Sequence, residues 1–348
     1  MLSVGLPAPF FRAKSPGNPN YVFDTVAGRN VVLVFNINPK KHADILLEIK
    51  GMDVLNDEHS CLFFVLNSEN SDSFPLRIPG IRCFYDDNLQ IHDLYLDKGQ
   101  KNLISFILSP RLQVVDIIIG DEEHHVSKIK SKLDELHNAH IDSSVLSHAP
   151  VLIIPNIFEK DFCEFLIGGY EKNGGTVSGF MRDVDGKTME VRDERHKIRK
   201  DWNMEDNNPN ILTDIRERFK KRVIPEIKKA YQYDVTRIER YIISCYEAEE
   251  GGHFRPHRDN TTKATLHRKF AVSLNLNSED YEGGELRFPE FGMKTFKPPT
   301  GGCCVFSCSL LHEATKVTQG KRYAFLPFLY DDEAARIRSE NLKFLIQR

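Results

Sequence analysis

The chain has 348 residues, which suggests about two domains, each long enough to bury a core. Its 41% hydrophobic and 28% charged residues exclude a disordered or fibrous chain, and a formal net charge of -3 excludes a global field drawing it to nucleic acid or acidic lipid. No apolar run approaches the ~20 residues of a membrane-spanning helix.

The N-terminus, MLSVGLPAPFF, lacks a basic n-region and is interrupted by Pro7 and Pro9, so no signal peptide is expected. The seven cysteines (Cys61, Cys83, Cys163, Cys245, Cys303, Cys304 and Cys308) mostly lie in apolar runs and form no CxxC pair. Reduced, buried thiols in a cytoplasmic protein are the simplest account, and neither a thiolate zinc site nor a dithiol redox centre is expected.

The first ~140 residues alternate apolar strands with amphipathic helices. NVVLVFNIN (30–38) reads as a strand and 41–56 as a helix with Ile45, Leu46, Ile49 and Met52 on one face. CLFFVLN (61–67) is the next strand, 87–96 a short helix, and LISFILSPRLQVVDIII (103–119) two strands joined at Ser109-Pro110-Arg111. A polar helix over 121–138 closes an expected α/β sandwich with a mixed sheet. Residues 141–150 read as a linker.

A helix over 159–173 ends at Gly174-Gly175, a C-cap signal. Residues 176–207 are charged and turn-rich and read as a long mobile excursion carrying the only Trp, Trp202. Ile215, Phe219, Val223 and Ile227 predict one helix over 209–231, although Pro225 opposes it. The basic run RERFKKR (216–222) reads as a helix surface, not a nucleic-acid site. From residue 235 short strands predominate (RIERYIISCY, FAVSLNLN, GGELRF, CCVFS, RYAFLPFLY), the pattern of an antiparallel sandwich or barrel.

The chain contains three His-x-Asp triplets among its 13 histidines, where about one is expected by chance. His42/Asp44 falls on a predicted helix, where i and i+2 do not share a face, and reads as solvated surface. His140/Asp142 falls in the linker. His257/Asp259 follows a strand run, and on extended backbone i and i+2 point to one side. With His312 downstream, two imidazoles and one carboxylate on one face leave three open octahedral positions, the facial triad of non-haem Fe(II) oxygenases; zinc would want a tetrahedron. Arg322 opens the strand RYAFLPFLY. An arginine facing a barrel interior is costly unless an anion pairs with it, and a ligand carboxylate would do so through a bidentate fork.

The ordered set HRD (257–259), GGELRFPE (283–290), His312 and Arg322, with the upstream DFCEFLIGGYEKNGG, resembles the prolyl 4-hydroxylase branch of the Fe(II)/2-oxoglutarate dioxygenases over about 150–332. The resemblance implies a C-terminal double-stranded β-helix (jelly roll) with supporting helices over 151–348. It implies that His257, Asp259 and His312 bind Fe(II), that Arg322 clamps the distal carboxylate of 2-oxoglutarate, and that Tyr246 lies near this co-substrate. Asn275 stands where relatives often carry a tyrosine touching 2-oxoglutarate, so the second carboxylate contact departs from the pattern. The implied cofactors are Fe(II), 2-oxoglutarate, O2 and L-ascorbate. The implied reaction is hydroxylation of a protein or peptide side chain, prolyl by resemblance, coupled to conversion of 2-oxoglutarate to succinate and CO2.

The first 140 residues resemble the peroxiredoxin branch of the thioredoxin-like fold, through VGLPAPFF (4–11), VVLVF (31–35) and FILSPRLQVVDII (106–118). That family's reactive cysteine should open the helix after VVLVFNINP, where a helix N-terminus would lower its pKa. Residues 39–46 are PKKHADIL, without cysteine, so no thiol peroxidase activity is expected, and a docking or dimerisation module is the simplest reading. Other readings remain: a non-catalytic interaction protein built on that module, or a hydroxylase of a small molecule or amino acid. A nucleobase demethylase should carry further arginines after Arg322, and RYAFLPFLY has none. The excursion 182–200 is a candidate substrate lid, with Arg195, Arg199 and Trp202 as the positions to test. Cys303, Cys304, Cys308, Tyr241 and Phe254 are expected in the core.

Overall fold

The computed structural model describes residues 1–346 except 70–73, 75–77, 121–122, 143–147, 185 and 205–208. It divides into two compact units, Met1–Ala149 with Pro289–Gly292, and Pro150–Phe288 with Met293–Arg348.

The N-terminal unit is built on a seven-stranded sheet in the order Asn18–Val22, Arg12–Ser15, Ile81–Tyr85, Ser60–Leu66, Asn30–Phe35, Ile104–Leu108, Val114–Ile119. Asn30–Phe35, Ser60–Leu66 and Ile81–Tyr85 run parallel to one another, the last two strands add an antiparallel hairpin beside Asn30–Phe35, and Arg12–Ser15 pairs antiparallel with Ile81–Tyr85. The two central strands are buried at every position, as strands covered on both faces must be. Their alternation sorts the two coverings. Val32, Val34, Leu62 and Phe64 pack with Ile45, Leu46 and Ile49 of the helix Ala43–Lys50 and with Val126, Ile129 and Leu133 of the helix His125–Asp142. Phe35 and Phe63 join an aromatic set in which Phe63 and Phe84 stack at 4.4 Å.

Two features differ from expectation here, and a third reading falls outside the described residues. The strands Arg12–Ser15 and Ile81–Tyr85 carry no run long enough to announce them. His42 is not solvated: it is buried before the helix Ala43–Lys50, and its Nδ1 accepts the Asn38 N–H at 2.9 Å. The side chains of His140 and Asp142 lie outside the described residues.

The C-terminal unit is a two-sheet, jelly-roll-like sandwich with helices. Its ten-stranded sheet includes Ile242–Glu247, Phe270–Asn275, Cys303–Ser307 and Val317–Phe325. Its five-stranded sheet runs Lys197–Ile198, His253–His257, His312–Ala314, Leu286–Arg287, Thr295–Phe296. Alternation again decides which side chains enter the sandwich. Ile243, Cys245, Leu274, Tyr323 and Phe325 pack against the helices through Cys163, Leu166, Tyr170, Ile215 and Phe219. Their neighbours Ser244, Tyr246, Ser273, Asn275, Arg322 and Ala324 therefore face the opposite way, and Tyr246 packs with Phe254 and Ala314 of the smaller sheet.

The predicted helix over 209–231 is two helices, Pro209–Arg222 and Ile224–Tyr231, divided at Val223 because Pro225 is accommodated only in a first turn. The excursion expected to be mobile is largely strand: Thr176–Val177, the hairpin Phe180–Val184 with Lys187–Val191, Lys197–Ile198 and Lys200–Asn203. Its strands are short and carry adjacent charges, as at Arg182-Asp183 and Lys200-Asp201, so no apolar period-2 pattern marks them. A C-terminal helix, Asp332–Asn341, is capped by Asp331, whose side chain accepts the Ala334 N–H. No helix among the described residues is long and apolar enough to cross a membrane.

Candidate active site

His257 ends one strand of the smaller sheet and His312 begins the next, directly opposite it. An irregularity between Phe254 and His257 shifts the register so that these two residues pair. Asp259 lies beyond the strand, in a turn held by its N–H to the Cys308 carbonyl at 3.0 Å. The shared side of the two residues is thus set by that turn and not by extended backbone. His257 Nε2 lies 3.6 Å from Asp259 Oδ1, and His312 Nε2 lies 3.3 Å from Asp259 Oδ2. One ligand atom from each residue falls within 4.8 Å of the others, close enough for a single metal ion to be shared.

Each imidazole is oriented from behind. His257 Nδ1 is 2.8 Å from the Arg255 carbonyl and His312 Nδ1 is 3.0 Å from the Leu310 carbonyl. A carbonyl only accepts, so each Nδ1 carries the proton and each Nε2 presents its lone pair to Asp259. Phe254 stacks on His257 with ring centres 3.5 Å apart, and Phe306 lies 4.6 Å from His312. Burial, followed by the neighbouring His312, holds the His257 imidazole down to about 4. Burial raises the Asp259 carboxyl, but His312 and His257 outweigh it and hold it below the usual carboxylate range. The donor set is two imidazole nitrogens and one carboxylate oxygen, which suits a divalent first-row ion.

Arg322 is 2% exposed and stands opposite Tyr246 on the larger sheet. Its Nη2 donates to Ser273 Oγ at 2.7 Å and to Asn275 Oδ1 at 3.2 Å, its Nε has no hydrogen-bond partner, and it makes no ion pair with any described carboxylate. A buried guanidinium balanced only by neutral acceptors suits an incoming carboxylate. Its Cζ lies 5.2 Å from the centre of the Tyr246 ring, and Tyr246 packs with Phe254, so the guanidinium and the triad are joined through two aromatic rings. Asn275 is buried, its Nδ2 donates to the Pro298 carbonyl at 3.0 Å, and its Oδ1 holds Arg322. It is placed to orient the arginine.

Of the excursion residues, Arg199 is buried, donates to Asp201 at 2.7 Å and reaches the Tyr246 hydroxyl at 3.3 Å. Trp202 is core, packed over Gly169, and Arg195 is exposed and paired to Asp193. Arg218 and Arg222 pair with Glu159, so the basic run is a helix surface tied within its own unit. Cys303, Cys304, Cys308 and Tyr241 are core. Phe254 is buried in the core as expected, and it also walls the triad through its stack on His257. His196, whose ring is 5.5 Å from Phe254 and 6.5 Å from His257, and Lys197 were not legible as site neighbours. Their only signal is the alternation of Lys197 and Arg199 along an extended stretch.

Residues 241–330 match the family described as the 2OG-Fe(II) oxygenase superfamily. A PKHD-type hydroxylase of Synechococcus sp. (strain JA-2-3B'a(2-13)) is 33% identical over 93 residues, 25% of this chain and 41% of the relative. The chain thus spans about two fifths of that relative's length. Among solved structures, a prolyl hydroxylase from Trichoplax adhaerens, in complex with a hypoxia inducible factor oxygen degradation domain peptide fragment, is 17% identical, with a TM-score of 0.41 over 62% of this chain and 96% of that one. A mitochondrial 2-cys peroxiredoxin from Plasmodium falciparum is 17% identical, with a TM-score of 0.32 over 41% of this chain and 99% of that one. The stretch from Tyr241 to Tyr330, which contains His257, Asp259, His312 and Arg322, carries a 2OG-Fe(II) oxygenase domain.

Proposed function

We infer that the C-terminal part, residues 151–348, is an Fe(II)- and 2-oxoglutarate-dependent dioxygenase that hydroxylates a protein or peptide side chain, with proline as the residue. The observation that carries the reading is the convergence of two Nε2 lone pairs and one carboxylate at His257, Asp259 and His312. The resemblance of HRD, GGELRFPE, His312 and Arg322 to the prolyl 4-hydroxylase branch supports proline.

In this reading His257, His312 and Asp259 would hold the ferrous ion. Bound together there, iron, 2-oxoglutarate and O2 supply the oxidising chemistry, with succinate and CO2 as products and L-ascorbate as reductant. Arg322 orients the co-substrate through its distal carboxylate, Asn275 and Ser273 hold the guanidinium in line, and Tyr246 packs against it. Phe254, Phe288 and Phe306 keep bulk water from the imidazoles. No residue is required as a general base; the chain binds, orients and dries the site.

The N-terminal unit reads as a thioredoxin-like docking module, supported by its parallel strands, closing hairpin and flanking helices. Position 42, at the N-terminus of its first helix, is a histidine. A reducing, cytoplasmic setting belongs to the same reading and is supported by seven free, buried cysteines.

The test is Mn(II) calorimetry together with 2-oxoglutarate turnover in wild type and His257→Ala. Wild type should bind one Mn(II) and, with Fe(II), convert 2-oxoglutarate to succinate. The variant should lose metal affinity beyond the about 10- to 100-fold expected for changing a residue behind a ligand. Succinate formation that persists in His257→Ala would sink the assignment.

A further inference from the structure

Lys197 is a buried amine with no carboxylate in contact among the described residues. It stands at the edge of the smaller sheet, directly opposite Phe254, and is 6% exposed. Its Nζ donates to Ser178 Oγ at 2.7 Å and to the Gly179 carbonyl at 2.5 Å, and lies 4.9 Å from the centre of the Phe254 ring. Both acceptors are neutral, and an ammonium has three donors, so one N–H is left for another partner. Among the described residues no carboxylate oxygen comes within 4.0 Å of it.

The two carboxylates that act on Lys197 from further off are engaged elsewhere. Asp201 is held by Arg199 at 2.7 Å, by Arg240 at 3.5 Å and by Ser244 Oγ at 2.7 Å. Glu190 Oε1 accepts the Gly179 N–H at 2.6 Å. This wall therefore sets three cations, Lys197, Arg199 and Arg240, against two carboxylates. Burial, with Arg199 next, pushes the Lys197 amine well below its usual range. That is the signature of a charge taken from water without compensation, and an anion against it would restore the balance.

Phe254, which Lys197 touches, stacks at 3.5 Å on His257. Lys197 is thus one ring removed from the triad, on the sheet that carries the metal-ligand candidates, whereas Arg322 is on the other sheet beyond Tyr246. The two cations are separate and can serve two different anions.

We propose that Lys197, with Ser178, forms a second anion subsite of this site, which takes a carboxylate on the molecule to be oxidised: an Asp, Glu or C-terminal carboxylate of a peptide substrate. The proposal rests on the oxygenase reading of the triad.

The test uses the full chain with Mn(II) and 2-oxoglutarate. The probes are capped peptides with one proline and one glutamate placed one to three positions to either side, each paired with its glutamine counterpart. Wild type should bind at least one glutamate peptide about 10-fold or more tighter than its glutamine partner, as expected for a charged hydrogen bond. Lys197→Met should abolish that preference and Lys197→Arg should retain it. A wild type that binds Mn(II) and 2-oxoglutarate but shows no glutamate preference, absence of peptide binding included, overturns the proposal alone. So does a preference that survives Lys197→Met, or a Lys197→Met variant that loses affinity for 2-oxoglutarate itself. A wild type that binds neither Mn(II) nor 2-oxoglutarate overturns the oxygenase reading and this proposal with it. If Lys197→Met does not fold, the wild-type peptide pairs alone decide.

Discussion

Arg322 shows how one side chain can be read at two stages. Its position at the head of the apolar run RYAFLPFLY marks it as a cation facing inward; the structure sets it within the longer strand Val317–Phe325 and, among the described residues, gives it neutral hydrogen-bond partners only. Arg322→Gln keeps much of the volume and removes the charge and the fork. Its 2-oxoglutarate Kd should rise about 10- to 100-fold, the effect of one charge-assisted hydrogen-bond pair, with Mn(II) affinity unchanged by calorimetry. His196 supplies a second prediction at this scale. Burial, then Arg182, lowers its imidazole to about 4, below the ~6.5 of an unfolded chain. Between those values the unfolded state binds more protons, so stability is complete above about pH 6.5 and falls as pH drops toward 4. His196→Gln should flatten that fall. Urea unfolding at pH 7 and pH 5 should show the wild type losing up to about 2 kcal/mol more than the variant.

At the level of elements, the GGELRF segment owes its glycines to backbone geometry. Gly283 and Gly284 have φ of 70° and 65°, a region that side chains rarely adopt. A Cβ on Gly283 would sit 2.2 Å from the Lys316 carbonyl oxygen, beside the strand Val317–Phe325 that carries Arg322. Gly283→Ala should lower stability by at least about 1–3 kcal/mol, read as a drop in Tm, because the strand edge must move to admit the methyl group. The elements that the sequence showed least well are the edge strands of 176–203. A strand buried on both faces, such as Asn30–Phe35, advertises itself as an apolar run. A short edge strand such as Lys197–Ile198 carries charge, and only its partner His253–His257 identifies it. The split at Val223 was legible as a conflict between an apolar stripe and Pro225. Packing resolved it by keeping the stripe and breaking the helix.

Across the whole molecule, the thiols test the reading of the N-terminal unit. Burial raises Cys83 to about 11 and Cys61, Cys163, Cys245 and Cys304 to about 12, and lifts Cys303 and Cys308 also. A thiol must ionise to react, so none of the seven should label rapidly with a disulfide reagent in the native protein. All seven should label in guanidinium chloride, and native protein should not consume hydrogen peroxide. Rapid native labelling of Cys61 or Cys83 would contradict both the burial and the absence of a reactive nucleophile.

Apolar runs by themselves marked the buried strands of both units, and the place of Arg322 at the head of such a run marked it as facing inward, because a strand's burial is written in its own residues. The residue types at 257, 259 and 312 likewise determined which chemistry was open to the chain. Tertiary structure alone decided that Asp259 reaches the imidazoles from a turn tied to Cys308, that Phe254 is a wall of the site, and that no described carboxylate contacts Lys197. Those facts depend on which groups meet through space, and pairing or its absence between distant stretches of chain leaves no periodic trace in the residues themselves.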